Sequence, residues 1–338
     1  MKKKLMHRTD VWAMTILLAA SFSVQAQRCQ EVRAGIDMGS GTTKLLVAEV
    51  DTCRQHINKV LFEDQRPVGF NQNLSQSTDN MLSPAIQSQG KAALQGLYEE
   101  AQRFHPVRFN GVATAVFRNA ANGSQVIAAF NQAVPVNLRV ITQRQEAELG
   151  FLSAKSMLTE HVNNDQIVVW DIGGGSMQMT TWNQQHDKWQ PEIYQGKLAS
   201  VTLKNYIIDV AKGRDVHQVT SPNPIGSYRD AALRFVRFYA TNDIPPGIKQ
   251  ALTTRKVIGI GGVHNYSVGS QLHMKTYDIK SLQKFSASQV WKGDSELHGE
   301  YRDTDVSNLL LVQGFMEALH IPAVTVVKAN LVQGLLVQ

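Results

Sequence analysis

Two aspartates, each closing a hydrophobic run and each followed by a glycine-rich turn, are the residues best placed to do chemistry. Asp37 precedes Gly39, Ser40, Gly41 and Thr42, and Asp171 precedes Gly173, Gly174, Gly175 and Ser176. A glycine turn directly after a strand lets backbone N–H groups converge on an anion with no side chain in the way. A carboxylate beside such a nest suits a phosphate only with a cation or an ordered water between them. The pair therefore points to a metal–phosphate cleft shared by two halves of the chain. Taken singly, each turn has a plainer explanation. "GSGTT" serves as a hairpin turn needing positive φ, and a third run, "GIGG" with Gly261 and Gly262, is weak because glycine runs are common in turns. Both Asp–Gly turns lead into strands and not helices, which argues against a dinucleotide site.

The elements around these turns follow from hydrophobic spacing. "EVRAGID" and "KLLVAEVD" read as two strands joined by "MGSGTT", an antiparallel hairpin. If Asp37 lies opposite Lys44, counting outward along both strands brings Cys29 within one position of Cys53. Those are the only two cysteines, and in an oxidising compartment they read as a disulfide across the open end of the hairpin. Next, "LSPAIQSQGKAALQGLYEEAQRF" has helical spacing with Ser83 as cap and Pro84 in the first turn. "RFNGVATAVF" reads as a strand, "RNAANGSQVIAAFNQAV" as a helix, "NLRVIT" as a strand and "QRQEAELGFLSAKSML" as a helix. From Gln166 the pattern starts afresh with "QIVVWD", the turn "IGGGS", the strands "MQMTTW" and "KWQPEIYQG", and a helix from Val201. The end of the chain reads as a helix, a strand and a last helix. Alternation of this kind implies mostly parallel sheets with helices packed on them.

Residues 1–26 have the three parts of a secretory signal: Lys2, Lys3, Lys4 and Arg8, an apolar middle from Val11 to Val24, and a small-residue cleavage site at Val24-Gln25-Ala26. The apolar part, about 14 residues, falls short of the roughly 20 that span a bilayer. The expectation is a periplasmic or secreted protein that begins at Gln27, without a stable membrane anchor. The whole chain has 34 basic and 28 acidic residues; removing the signal leaves 30 against 27, a net +3. So weak an excess suits a local anion site better than a surface built for nucleic acid.

Six stretches, in order, carry a family resemblance: "AGIDMGSGTTKLLVAEV", "GVATAVFRNAANG", "VITQRQEAELGFL", "IVVWDIGGGSMQM", "VIGIGGVHN" and "NLVQGLL". They resemble the motifs of the exopolyphosphatase/guanosine pentaphosphate phosphatase (Ppx/GppA) family. The resemblance implies an α/β fold of two ribonuclease H-like domains around a central cleft, as in the actin-like ATPase and sugar kinase superfamily. It implies a first domain over 27–145 plus 325–338 and a second over 146–324. Arg118 matches the arginine that holds substrate phosphate, as a planar guanidinium does with two donors. The first two turns, joined by Gly261 and Gly262, match the phosphate-holding backbone. Asp37, Glu146 and Asp171 match the residues around a Mg²⁺ or Mn²⁺ ion, and Glu146 a catalytic glutamate near the attacking water.

Two departures from the family pattern matter. Where the family has "DIGGGSTEL", with a glutamate assigned to activating water, this chain has Gln178. A neutral amide can orient water through its carbonyl oxygen but cannot take its proton near neutral pH, and loss of a general base removes roughly 10²–10⁴ in rate. Lys44, in "GSGTTK", resembles the kinase side of the superfamily; it either reaches a phosphate or is a solvated strand residue. His264 in the third turn contacts a ligand, caps a helix or packs, with capping or packing favoured. The expected function is an exported, metal-dependent phosphoanhydride hydrolase releasing terminal phosphate from polyphosphate or a nucleoside polyphosphate, with a homodimer admitted as its assembly. The rivals are an attenuated phosphate-ligand sensor of the same fold and, on Lys44 alone, an ATP-dependent kinase.

Overall fold

The structure, a computed structural model, describes residues 29–338 apart from 159, 161 and 300; the expected signal segment, residues 1–26, lies outside the described residues. Strands β1 (Gln30–Met38), β2 (Thr42–Asp51), β3 (His56–Pro67), β4 (Arg108–Ala113) and β5 (Asn137–Val140) form one sheet in the order β3-β2-β1-β4-β5. β1 is antiparallel to β2 and parallel to β4. Strands β6 (Ile167–Ile172), β7 (Met177–Gln185), β8 (Lys188–Gly196), β9 (Lys256–Ile260), β10 (Thr276–Asp278) and β11 (Ala323–Val326) form the other, in the order β10-β11-β9-β6-β7-β8. Without the short edge strand β10, the second order is that of the first: an antiparallel three-strand meander, then two parallel strands beside its first strand. That is the ribonuclease H-like arrangement, present twice, and the Asp-ended strands β1 and β6 are its equivalent members.

The hairpin register is the expected one. Asp37 lies opposite Lys44, and the pairing runs unbroken to Gln30 opposite Asp51. Just beyond it Cys29 and Cys53 are joined, with their Cα atoms 5.4 Å apart. Thr52 N–H donates to the Cys29 carbonyl at 2.7 Å, which closes the end of the ladder.

Six helices matter for the site: α1 (Pro84–Gln102), α2 (Gly123–Ala133), α3 (Gln143–Ser156), α4 (Arg229–Asp243), α5 (Arg302–Ala318) and α6 (Leu331–Val337). Ser83 caps α1 by accepting from Ile86 N–H, and Thr142 with Gln145 forms a reciprocal capping box on α3. α5 is buried along most of its length, with Leu309 and Phe315 packed around Trp170 of β6 in the core of the second half. The core of the first half centres on Ile36, Leu45, Leu94 and Phe117.

One expected strand is corrected. The run "RFNGVATAVF" leaves the sheet at Ala113, and Ala115–Asn119 forms a short helix separated from α2. The short helix and α2 meet in a close approach at Gly123: a β-carbon there would lie 1.9 Å from the Phe117 carbonyl oxygen. Only glycine lets α2 start directly against the short helix, so the chain turns twice where the sequence pattern suggests one strand and one long helix. Arg118 accordingly sits at the end of a helix and not at its start.

The halves meet through α3 and α6. α3 packs Phe151 and Ala154 against Val169, Ile258 and Ile260 of the second sheet. α6 packs on the first sheet, where Val332 is so close that a β-carbon on Gly35 would fall 2.6 Å from it. Where the helices cross, Gly334 presses on α3: its N–H donates to Ser153 Oγ at 2.7 Å, and a β-carbon there would lie 2.2 Å from the Leu149 carbonyl oxygen. No described helix is long and apolar enough to cross a membrane.

Candidate functional site

The two Asp–Gly turns are closed in the same way. Gly39 N–H donates to the Thr42 carbonyl and Gly173 N–H to the Ser176 carbonyl, both at 3.0 Å. Each turn delivers the chain into a strand whose residue opposite the aspartate is polar: Lys44 faces Asp37, and Gln178 faces Asp171. Gly41, Gly175 and Gly262, one in each of the three turns, have nothing within 4 Å of a would-be β-carbon. Packing does not require glycine there. What the glycines leave is bare backbone facing open space, the condition for close approach by an anion.

Gly261 is different. Its φ is +83°, and a β-carbon would lie 2.2 Å from Asp171 Oδ1 and 2.6 Å from the Ile172 carbonyl oxygen. The third turn is thus pressed against the second aspartate, and only glycine can make that contact.

The carboxylates form one electrostatic group. Burial pushes Asp37 up to about 6, with Lys44 opposing the shift and Glu146 adding to it. Burial likewise lifts Asp171 to about 7, reinforced by Glu146 and Asp37 and opposed by Lys44. Groups from β1, β2, α3 and β6 therefore sense one another across both halves. Asp37 Oδ1 is buried with no hydrogen-bond partner, a costly state for a carboxylate oxygen unless something else occupies its lone pairs.

Glu146 lies in the first turn of α3. Arg118 Nη1 is 2.8 Å from its Oε2. The contact is a charge pair out of line for a hydrogen bond, since Oε2 has no hydrogen-bond partner and Nη1 donates to the Ile141 carbonyl at 2.9 Å. Glu148 turns outward and pairs with Arg144 at 3.1 Å. Gln178 is buried, and its Nε2 donates to Ser176 Oγ at 3.3 Å. The amide is therefore held within the second turn, beside Asp171. Ser40 is half-buried in the first turn, and Thr42 begins β2.

His264 belongs to the core. It is fully buried, its Nδ1 lies 2.7 Å from the Tyr277 hydroxyl, and its ring meets Trp170 edge-on at 4.8 Å. Burial drives its pKa down to about 3, so the ring is neutral packing.

Among the described residues, no group of three or more His, Cys, Asp or Glu side chains forms a ready-made metal cage. The residues fit a looser arrangement. Mg²⁺ commonly takes one or two carboxylates and completes its shell with water and substrate phosphate, and the unpartnered Asp37 Oδ1 beside the Asp171 carboxyl matches that donor set.

Sequence reasoning missed the space next to this group. A cavity of about 420 Å³ is lined by Lys44 of β2, Gly261 and Gly262 of the third turn, Tyr266, Lys328 from the segment entering α6 and Gln333 in its first turn. Lys44, Gly261 and Gly262 stand out in the sequence, but nothing there brings them together with Lys328; the N-x-x-Q spacing of Asn330 and Gln333 reports the start of α6 and not a lining.

Comparison with known proteins agrees with this geometry. Residues 46–190 match the model of the Ppx/GppA phosphatase family. The Ppx/GppA phosphatase of Aquifex aeolicus superposes with a TM-score of 0.71 at 16% identity, over 91% of this chain and 98% of that one. An exopolyphosphatase from Cytophaga hutchinsonii superposes with a TM-score of 0.65 at 15% identity, over 90% and 96% of the two chains. At such identities the superpositions establish the fold. A bifunctional 3-dehydroquinate synthase/phosphatase of Fusobacterium nucleatum is 25% identical over 259 residues, 74% of this chain and 36% of that protein, so this chain spans about a third of that relative. The family match over 46–190 and the shared two-sheet fold make the chain similar to the Ppx/GppA phosphatases.

Proposed function

We propose that the protein is an exported phosphoanhydride hydrolase that releases terminal phosphate from inorganic polyphosphate or a nucleoside polyphosphate. The observation that carries this is the convergence of three carboxylates, buried Asp37 and half-buried Glu146 and Asp171, with three turns that each hold one glycine facing open space. The exopolyphosphatase and phosphatase names of similar proteins support the substrate class. Export rests on the signal-like first 26 residues and accords with the Cys29–Cys53 bond.

In this reading the N–H groups of the turns and Arg118 hold the reacting phosphate. Asp37 and Asp171 would hold Mg²⁺ or Mn²⁺, which when bound neutralises charge on the phosphate oxygens. Glu146 accepts the proton of the attacking water, while Gln178, fixed by Ser176, offers an amide oxygen to orient that water. Arg118 links binding to chemistry. An incoming phosphate competes with Glu146 for the guanidinium, and as Arg118 turns to the phosphate the Glu146 carboxylate is freed to act as base.

The test is phosphate release from polyphosphate and from ATP with Mg²⁺ present. Replacing Glu146→Gln should lower kcat by roughly 10²–10⁴, the usual cost of losing a general base. Equal release by the variant and the natural protein sinks the reading. A second reading, a phosphate-ligand sensor, is favoured by one observation: the position facing Asp171 holds a buried amide that takes no proton. It is sustained if the protein binds polyphosphate tightly while releasing no phosphate.

A further inference from the structure

The molecule also gathers positive charge at the end of the first sheet that lies away from the carboxylate group. Arg33 of β1 pairs in register with Arg108 of β4, while Asn110 and Val112 of β4 pair with Asn137 and Arg139 of β5. Side chains two apart on a strand share a face, so three neighbouring strands direct Arg33, Arg108, Asn110, Asn137 and Arg139 to one side of the sheet. α6 packs on that same side, against Gly35 and Val112. Leu335 and Leu336 of α6 complete a cavity of about 200 Å³ around the five polar side chains. Asp37 shares this face but lies four residues farther along β1, about 13 Å by strand rise. No residue lining this cavity lines the one beside the third turn.

The charge there is only partly spent. Arg33 is 7% exposed, and its guanidinium is committed on two sides, Nε to Glu31 at 2.8 Å and Nη1 to the Leu336 carbonyl at 2.7 Å. Those bonds fix a cation in the cavity floor. Exposed Arg108 shares the same Glu31 from 3.8 Å. Exposed Arg139 has no carboxylate: its one partner among the described residues is the Gln338 amide oxygen, at 3.4 Å. Three guanidiniums thus share one carboxylate, and like charges side by side on paired strands are destabilising unless a charge of opposite sign lies between them.

We propose that this cavity is a second anion site, separate from the catalytic cleft, which takes a small free oxyanion of the phosphate type. Planar guanidiniums present paired donors that match two oxygens of such an ion. The asparagine amides add further donors, since they touch each other only weakly, at 3.5 Å. Two positive charges beyond the one Glu31 offsets suit a dianion, and the Glu31 carboxylate suits one that still has a proton to donate. The cavity is small: pockets for drug-sized ligands run to roughly 300–1,000 Å³. Seated there, the ion would join the beginnings of β4 and β5 to the end of α6. The inference goes beyond the hydrolase reading and does not depend on it.

The experiment is calorimetric titration of orthophosphate, sulfate and acetate into the full chain without divalent cations, with Arg118→Ala introduced to remove the phosphate grip of the cleft. One orthophosphate per chain should still bind. Adding Arg139→Gln should weaken it about tenfold and adding Arg108→Gln about fivefold, the scale of a partly exposed charge-assisted contact. Rising salt should weaken it as well, because two of the arginines are exposed. Orthophosphate should also raise the thermal midpoint of the Arg118→Ala chain, as a ligand of the folded state does, and the gain should vanish when both further arginines are replaced. Sulfate binding at least as tightly as orthophosphate describes a site for tetrahedral dianions in general. Tighter orthophosphate describes one in which Glu31 accepts a hydrogen bond from the ligand, and either result sustains the proposal. No binding to the Arg118→Ala chain overturns it, and so does binding that both arginine replacements leave unchanged. Acetate, a monoanion, should bind far more weakly; acetate as tight as orthophosphate overturns the assignment too.

Discussion

The two Asp–Gly turns are built on one plan and finished differently. Both end a first strand, both are closed by a glycine N–H on a carbonyl three residues ahead, and both return opposite their aspartate. At that returning position the first turn has Lys44, a cation that opposes the raised pKa of both aspartates, and the second has Gln178, a neutral amide tied to Ser176. The hairpin of the first turn is stapled by Cys29–Cys53, whereas both cysteines of the chain are used there and the second hairpin has none. The first turn supplies charge on a rigid mount, and the second supplies an acceptor oxygen in a crowded one. A duplicated fold thus gives two equivalent positions, and the chemistry lies in how their residues diverge.

The comparison can be broken most forcefully at Gln178. Changing Gln178→Glu puts a proton acceptor beside Asp171 and should raise kcat for phosphate release by about 10², within the range of a general base. A fall in kcat would show that the amide is needed as an amide and that the turns diverged toward function and not away from it. Next in size is the staple. Replacing both cysteines with serine should cost about 3 kcal/mol on the loop-entropy estimate, read as a lower denaturation midpoint. An unchanged midpoint would mean that the ladder alone holds the first turn.

The smallest effect separates the aspartates by pH. A carboxyl whose folded pKa is raised binds protons in the folded state that the unfolded chain has already released, so stability falls as pH rises from about 4 through the folded value. For Asp37 that loss extends to about pH 6 and for Asp171 to about pH 7. Without divalent cations, thermal stability should decline across this window, and Asp171→Asn should flatten the decline to higher pH than Asp37→Asn does. Adding Mg²⁺ at pH 7.5 should restore stability to the natural protein more than to either variant. A profile that ignores both substitutions would dissolve the electrostatic group.

Much of this was legible in the sequence because it is local. The hairpin register follows from counting outward from Asp37 and Lys44, and the disulfide follows from that register. The repeated strand–Asp–glycine unit announced two equivalent sheets. What stayed hidden depends on contacts between distant segments. The break between the short helix and α2 turns on Gly123 lying against the Phe117 carbonyl, a close approach invisible to hydrophobic spacing. The pairing of Arg118 with Glu146 needs α3 to be placed by its capping box and by packing on the second sheet. Lys328 reads as an ordinary loop lysine until the cavity between the halves is seen.

The crossing of α3 and α6 at Gly334 has a mechanical consequence. Two helices meeting backbone to backbone make a fulcrum, and Glu146 stands only three residues before Leu149, whose carbonyl bears the contact. Rocking of one half against the other would therefore swing the outer walls of the interdomain space, Tyr266 and Lys328 among them, through a wider arc than the carboxylate near the pivot. An opening of that kind would leave the geometry around Glu146 little changed, as the rivet of a pair of tongs stays still while its jaws part.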